Sequence, residues 1–341
     1  MNFEHTEERR MLADSLRRLI TEQYGFEARK HLLQSAPGMS RDMWSQLAEM
    51  GVIGALFREE DGGYGGGGFD IAVVFEEIGR GLLLEPLLGS AILVGEAIAA
   101  AGTPAQKALL ETIIAGQTLA ALAHEEADSH YAPTHVATRA TQAADGSWRL
   151  QGHKAVVVHA EAADVFLVSA RTSGETDDAD GISLFLIPAA TAGLQLQGSD
   201  TIDGGRVADL MLQDASLPAD SLLGNVGQGA ALLERILGRG VLALCAERWA
   251  RWKWPRKPRS ITCAPASSSA CPSAASRPCS TAWPIFCWKW NRRARRSSMP
   301  LLPWTPTASR ANAPCRRPSS ASAASARWWP KNRSSCMAAS A

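Results

Sequence analysis

Few side chains here are equipped for chemistry, and each has a plain structural reading beside its functional one. His124 and His159 carry the groups that change charge near neutral pH. A histidine satisfied in a core or facing solvent accounts for either more simply. Lys154 reads as a structural lysine. The glycine-rich run from Arg58-Glu59-Glu60-Asp61 to Gly68 could suggest a phosphate cradle, but no strand precedes it and it lacks the Lys and Ser/Thr of a phosphate loop. It reads as a turn joining helices. Cys263, Cys271, Cys279 and Cys287 recur every eight residues. That spacing matches no zinc module and no His lies nearby, so no metal site is expected.

The elements that must position these groups fall into three stretches. Residues 1–117 read as helical. Thr6 can cap a helix whose first turn holds Glu7 and Glu8, favourable for the helix dipole. Met11, Leu12, Leu16, Leu19 and Ile20 recur at helical spacing. Trp44, Leu47 and Met50 form a second apolar face that Gly51 ends. Ile71 to Leu83 and Ala91 to Ala101 predict two more helices, the second closed by Gly102. Residues 118–225 read as short strands and turns. Ala144-Asp145-Gly146-Ser147 is a turn before Trp148-Arg149-Leu150. Val156-Val157-Val158, Val165-Phe166-Leu167-Val168 and Ser183-Leu184-Phe185-Leu186-Ile187 are β-rich runs. A small barrel or sandwich is expected, and barrel core is the plain reading of the three valines. From Gly227 the pattern is helical again, so 226–247 reads as the first helix of a further bundle.

The chain then changes character. All 34 acidic residues and all 29 glycines lie in residues 1–247. Residues 248–341 hold 18 of the 35 Lys/Arg, nine of the eleven Trp, six of the seven Cys and twelve of the eighteen Pro. Formal charge is −17 before the break and +18 after it, so the overall +1 describes neither part. No basic segment followed by an apolar one opens the chain and no long uncharged apolar run occurs. Cys245 alone implies no disulfide framework. These features point to a cytoplasmic enzyme or binding protein.

The basic tail could bind nucleic acid, its tryptophans stacking on bases. Its Trp and Cys are uncommon in native disordered segments. A third reading fits better: Arg, Pro, Ser, Ala, Cys and Trp are what a GC-rich gene yields out of phase. With one base inserted after the Glu247 codon, Glu247 to Arg259 can be read E-A-V-G-A-M-E-V-A-K-K-T-A. Thr262 to Pro278 can be read Y-L-R-T-R-K-Q-F-G-V-P-I-G-S-F-Q-A, Pro284 to Asn291 as A-D-(F/L)-L-L-E-V-E, and Ser334 to Ala341 as I-Q-L-H-G-G-I-G. Periodic apolar residues, acids and glycines return together. Residues 248–341 therefore read as an out-of-frame tail without a fold of its own.

The order helices, β domain, helices resembles the acyl-CoA dehydrogenase family. The resemblance rests on Trp44-x-x-Leu47-Ala48-Glu49-Met50-Gly51, Glu59-Glu60-Asp61-Gly62-Gly63-Tyr64-Gly65 and Glu76-Glu77-Ile78-Gly79-Arg80. Ala100-Ala101-Gly102-Thr103, Leu150-x-Gly152-x-Lys154, Ala162-Ala163-Asp164 and Asp203-Gly204-Gly205-Arg206 follow in order. It resumes in the restored frame with R-K-Q-F-G and Q-L-H-G-G-I-G. The opening residues through Phe69-Asp70 most resemble the small subunits of pimeloyl-CoA dehydrogenases. The resemblance implies an α+β fold: an N-terminal helical domain, a middle β-barrel and the start of a C-terminal bundle.

It also implies a chemistry. A carboxylate removes the α-proton of an acyl-CoA thioester and FAD takes the β-hydrogen as hydride. The trans-2-enoyl-CoA results, and electrons pass to an electron-transfer flavoprotein. Two β-domain segments line the flavin in the family. In place of Tyr-x-x-Thr-Glu-Pro stands Leu122-Ala123-His124-Glu125-Glu126-Ala127. In place of Trp-Ile-Thr stands Val156-Val157-Val158. The resemblance thus assigns cofactor binding to Leu122, His124, Glu125, Val156 and Val158, without the family's hydroxyl donors; backbone amides could serve instead. One subgroup carries its base in a Leu-Glu-Arg setting, which Leu233-Glu234-Arg235 matches. That makes Glu234 the candidate catalytic base, against the plainer reading of a surface glutamate paired with Arg235 or Arg239. The alternative whole-protein reading is a flavin-poor partner subunit of a heteromeric, acyl-CoA dehydrogenase with a large subunit.

Overall fold

The computed structural model describes residues 5–203 and 205–253. The composition break falls inside a helix of this region, while the shifted-frame motifs, the eight-residue cysteine spacing and most of the basic tail lie outside the described residues.

Residues 5–114 build a helical layer. Helix α1 (Glu7–Gln23) starts at Thr6, whose hydroxyl accepts from the Arg9 N–H at 3.4 Å. Leu16 and Ile20 face the core as the periodicity predicts, but Met11 is exposed. It lies about 140° around the helix from Leu16, on the solvent side. Helix α2 (Phe26–Leu33) is short, and α3 (Arg41–Glu49) buries Met43, Trp44 and Leu47. Gly51 then adopts φ +76°, the left-handed conformation that favours glycine. The glycine-rich run is indeed a turn, and its chain folds back so that Gly63 N–H donates to Arg58 O and Gly65 N–H to Phe57 O.

Helix α4 (Gly68–Gly81) ends two residues earlier than the apolar pattern predicts, because Leu82 takes φ +57°. The next segment departs further from expectation. Leu87–Gly95 is a π-helix that runs into α5 (Glu96–Ala101). Periodicity alone cannot separate this wider winding from an α-helix, and such segments are rare. Helix α6 (Pro104–Ile114) closes the layer under a reciprocal cap between Thr103 and Gln106.

Eight strands form one sheet: β1 (Ala120–Ala123), β2 (Arg139–Gln142), β3 (Trp148–Val158), β4 (Val165–Arg171), β5 (Ile182–Pro188), β6 (Leu194–Asp200), β7 (Arg206–Leu217) and β8 (Leu222–Leu223). The order is β6-β7-β3-β2-β4-β5-β8, with β1 added parallel to β4. Strands β4 and β5 are buried on both faces. Leu167, Leu184 and Leu186 enter the helical core, while Phe166, Val168, Phe185 and Ile187 enter a second core with Trp148. This is why both read as unbroken apolar runs. The Trp148 and Phe185 rings meet edge to face at 5.2 Å.

Helix α7 (Gly229–Lys253) returns across α4. It continues past the break at 248 and buries Ala250. The residues just after the break contain no proline until Pro255, and Arg251 pairs with Glu247 one turn earlier at 2.7 Å. No described helix is long and apolar enough to cross a membrane.

Candidate functional site

Strand β3 changes phase partway along. Lys154 opposes Leu210, but Val157 opposes Ala208, so β3 carries one residue more than β7 over this step. This is a β-bulge, and Val156 adopts φ +54° within it. A left-handed conformation is costly for a β-branched residue and persists only where its surroundings hold it. Asp209 does so from β7: its carboxylate accepts the Val156 N–H at 3.1 Å. The same carboxylate lies 3.5 Å from His153 Nε2.

The bulge decides which side chains reach solvent. Lys154 and Ala155 are buried, Val157 is 1% exposed, and Val156 and Val158 stand 57% and 53% exposed. The expectation of three core valines is therefore corrected: one is core and two form an outward apolar pair. Of the backbone amides that could serve in place of the hydroxyls, that of Val156 donates to Asp209.

The segment after β1 lies directly beside this edge. Ala155 N–H donates to Glu125 O at 2.9 Å. Beneath it, the Lys154 ammonium, fully buried, donates to Glu126 Oε1 at 2.6 Å, to His124 O at 3.2 Å and to Ser169 Oγ at 3.1 Å. Glu126 also accepts from the Ala137 and Thr138 amides and from the Thr138 hydroxyl. Burial pushes the Lys154 ammonium down to about 8 despite that partner. Burial opposes ionisation of Glu126, but the Lys154 charge and the donated hydrogen bonds outweigh it and hold that carboxyl below its ordinary value. His124 Nδ1 shares a 2.8 Å hydrogen bond with Ser169 Oγ. Burial, reinforced by the Lys154 charge, pushes this imidazole down to about 4. It is a satisfied core histidine, neutral near pH 7.

The structure joins His124 and Glu125 to the Lys154–Val156 stretch, while Leu122 pairs with Leu167 on β4 and Val158 with Val207 on β7. Leu122 packs against the helical core. The Glu125 carboxylate accepts from the Ser129 hydroxyl at 2.9 Å. Val156 and Val158 face outward. Glu234 lies on α7, exposed. The two arginines expected beside it turn elsewhere: Arg235 reaches Glu96 at 2.9 Å, and Arg239 reaches Glu96 at 3.5 Å and Gly66 O at 2.9 Å. His159 follows Val158 at φ +58°, and burial pushes its imidazole down.

Sequence reasoning missed Asp209, Ser169, Thr138 and the Lys154–Glu126 pairing. A carboxylate and an ammonium 28 residues apart carry no local signature, and Asp209 looks like any polar residue of a half-exposed strand. Among the described residues no three His, Cys, Asp or Glu side chains are grouped to hold a metal ion.

Two family descriptions match this architecture: acyl-CoA dehydrogenase, N-terminal domain, over residues 6–117, and acyl-CoA dehydrogenase, middle domain, over residues 121–215. The chain belongs to the acyl-CoA dehydrogenase family. It is 33% identical over 187 residues to the (2S)-methylsuccinyl-CoA dehydrogenase of Cereibacter sphaeroides, covering 53% of this chain and 33% of that protein. It is 27% identical over 217 residues to the short-chain specific acyl-CoA dehydrogenase of Megasphaera elsdenii, covering 61% and 56%. The chain thus spans about half the length, or less, of these acyl-CoA dehydrogenases. Among solved structures, the butyryl-CoA dehydrogenase of Megasphaera elsdenii shares the fold with a TM-score of 0.68 at 21% identity, covering 87% of this chain and 79% of that one. Acyl-CoA dehydrogenases are FAD-dependent enzymes, and similar structures include FAD and FADH2 complexes.

The residues present fit such a cofactor in one respect. The Val156–Val158 pair offers an exposed apolar edge suited to a flat ring system, while the neighbouring hydroxyls of Ser129, Thr138 and Ser169 are engaged within the protein.

His124 makes the middle domain acid-sensitive. Its pKa falls from 6.5 to about 4 on folding. The unfolded chain therefore binds the extra proton first, and stability is fully present above pH 6.5 and lost as pH falls toward 4. This difference corresponds to about 3 kcal/mol. Urea midpoints measured across that window should fall with pH in the native chain and fall less in His124→Gln.

Proposed function

We propose that the gene encodes a flavin-dependent acyl-CoA dehydrogenase acting by α,β-dehydrogenation of an acyl-CoA to the trans-2-enoyl-CoA. The supporting observation is the outward Val156–Val158 edge, joined through Ala155 and Glu125 to the segment after β1. When bound, FAD supplies the hydride acceptor. The chain's own residues do the rest. Val156 and Val158 give an apolar contact face, and the segment at 124–126 borders it. Glu234 takes the α-proton of the thioester. Because Glu234 is exposed, bound substrate must cover it before its carboxylate works in a water-poor setting. The opening sequence through Asp70 points to a dicarboxylyl thioester such as pimeloyl-CoA. We assign electron delivery to an electron-transfer flavoprotein, assembly to a homo- or hetero-oligomer, and location to the cytoplasm.

Activity depends on the shifted frame. The R-K-Q-F-G and Q-L-H-G-G-I-G segments exist only once one base is restored near codon 247, so the 341-residue chain as written is inactive. The test compares both forms. The restored chain should purify with flavin, and its visible absorbance should bleach on adding an acyl-CoA. Bleaching by the chain as written would refute its inactivity. Absence of flavin and bleaching from the restored chain would refute the dehydrogenase reading.

A second reading, the flavin-poor partner subunit, is favoured by the missing hydroxyls at 122, 125 and 158 and by the Asp209 hold on the Val156 amide. Under that reading the restored chain carries flavin only when co-expressed with its large subunit.

A further inference from the structure

We propose that Lys154 and Glu126 form a positioning clamp that sets the spacing between the 124–126 segment and the β3 bulge, and so shapes the face presented by Val156 and Val158. The part of this inference that concerns FAD rests on the flavin reading above; the clamp itself does not.

Three observations lead to it. First, the ammonium of Lys154 links segments that backbone pairing leaves almost unconnected. It reaches the His124 carbonyl and the Glu126 carboxylate on one side and the Ser169 hydroxyl of β4 on the other. The backbone bond between the two segments, Ala155 N–H to Glu125 O, lies next to it. Second, Glu126 is itself anchored, through the Ala137 amide and both Thr138 donors. The clamp thus ends on the β2 entry, not on a loose loop. Third, the bulge starts at the residue after Lys154, and Val156 is held from the opposite side by Asp209. A strained left-handed valine between two anchors stays in place only while both hold.

A buried pair whose donors and acceptors are all engaged gives a defined geometry; a half-satisfied one does not. If Lys154 merely stabilised the sheet, its loss would loosen the sheet throughout. If it positions this edge, the loosening stays local.

The test uses the full-length chain and the double variant Lys154→Met/Glu126→Gln, which removes both charges and leaves no buried ion alone. Hydrogen exchange read by mass spectrometry should rise about tenfold at residues 124–127 and 154–158 and stay unchanged in β4 and β5. In the restored-frame chain, FAD titration followed by flavin fluorescence should show about tenfold weaker binding by the same double variant. Unchanged exchange at 154–158, or a rise shared with β4 and β5, overturns the clamp. A restored-frame chain that binds no FAD defeats the flavin reading instead, and the exchange result still decides the clamp. The milder variant Lys154→Arg keeps the charge, and partial recovery of protection at 154–158 is expected from it.

Discussion

Lys154→Met alone lowers the stability of the sheet domain by about 3–5 kcal/mol, because it leaves the Glu126 carboxylate buried without its counter-charge. Lys154 is fully buried and Glu126 is 8% exposed, so water cannot take the ammonium's place without opening the sheet. The remaining donors to Glu126 come from Ala137 and Thr138, and they satisfy its lone pairs but not its charge. Adding Glu126→Gln should recover most of the loss, since removing both charges of a buried pair is far milder than removing one. Urea unfolding of the three proteins checks this. A single-variant loss below about 1 kcal/mol, the scale of exposed pairs, would mean the pair is solvated in solution.

The second large effect lies at a helix crossing. Helix α7 passes so close to α4 that a Cβ at Gly79 would overlap the Glu247 backbone, its carbonyl carbon and Cα at 2.8 Å. Backbone cannot swing aside as a side-chain tip can. Gly79→Val therefore forces the helices apart and disturbs Ile78, Ala243 and Ala250, which are buried at this stage of the core. Overpacking of this kind costs about 1–3 kcal/mol, and rigid backbone on the far side puts this case at the upper end. Gly238 on α7 is the control. Nothing lies within 4 Å of a Cβ there, so Gly238→Ala should stabilise by about 0.5–1 kcal/mol through helix propensity alone. Opposite signs for the two substitutions, read from far-ultraviolet unfolding curves, are the expected result. Equal signs would show that α7 does not dock on α4 in solution.

Local signals were legible wherever the physics is local. The Thr6 cap, the Gly51 stop and the doubly buried runs at 165–168 and 183–187 follow from side-chain type and spacing. Features set by distant partners were not. Three successive valines offer no alternation, so nothing in the triplet says that Val157 turns inward and its neighbours outward; the Asp209-held bulge decides that from the next strand. The π-helix at Leu87–Gly95 is almost wholly apolar, and a sequence without a polar face has no phase to read. Arg235 and Arg239 suggested Glu234 as a partner because it is near in sequence, but Glu96, 139 residues from Arg235, is where they meet. The candidate site shows the same division. The two segments were legible as a resemblance, while their joining through Ala155, Glu125 and Lys154 depends on the fold.

The one-residue bulge in β3 has an evolutionary meaning. By turning 156 and 158 away from the interior, it frees those two positions from the demands of packing. Under the proposed flavin reading, substitutions there alter the surface offered to the cofactor without opening a cavity, so the lineage can drift in chemistry at this edge while Lys154 and Val157 behind it keep the fold. Val156 and Val158 in place of the family's tryptophan and threonine are the kind of exchange such an uncoupled edge permits.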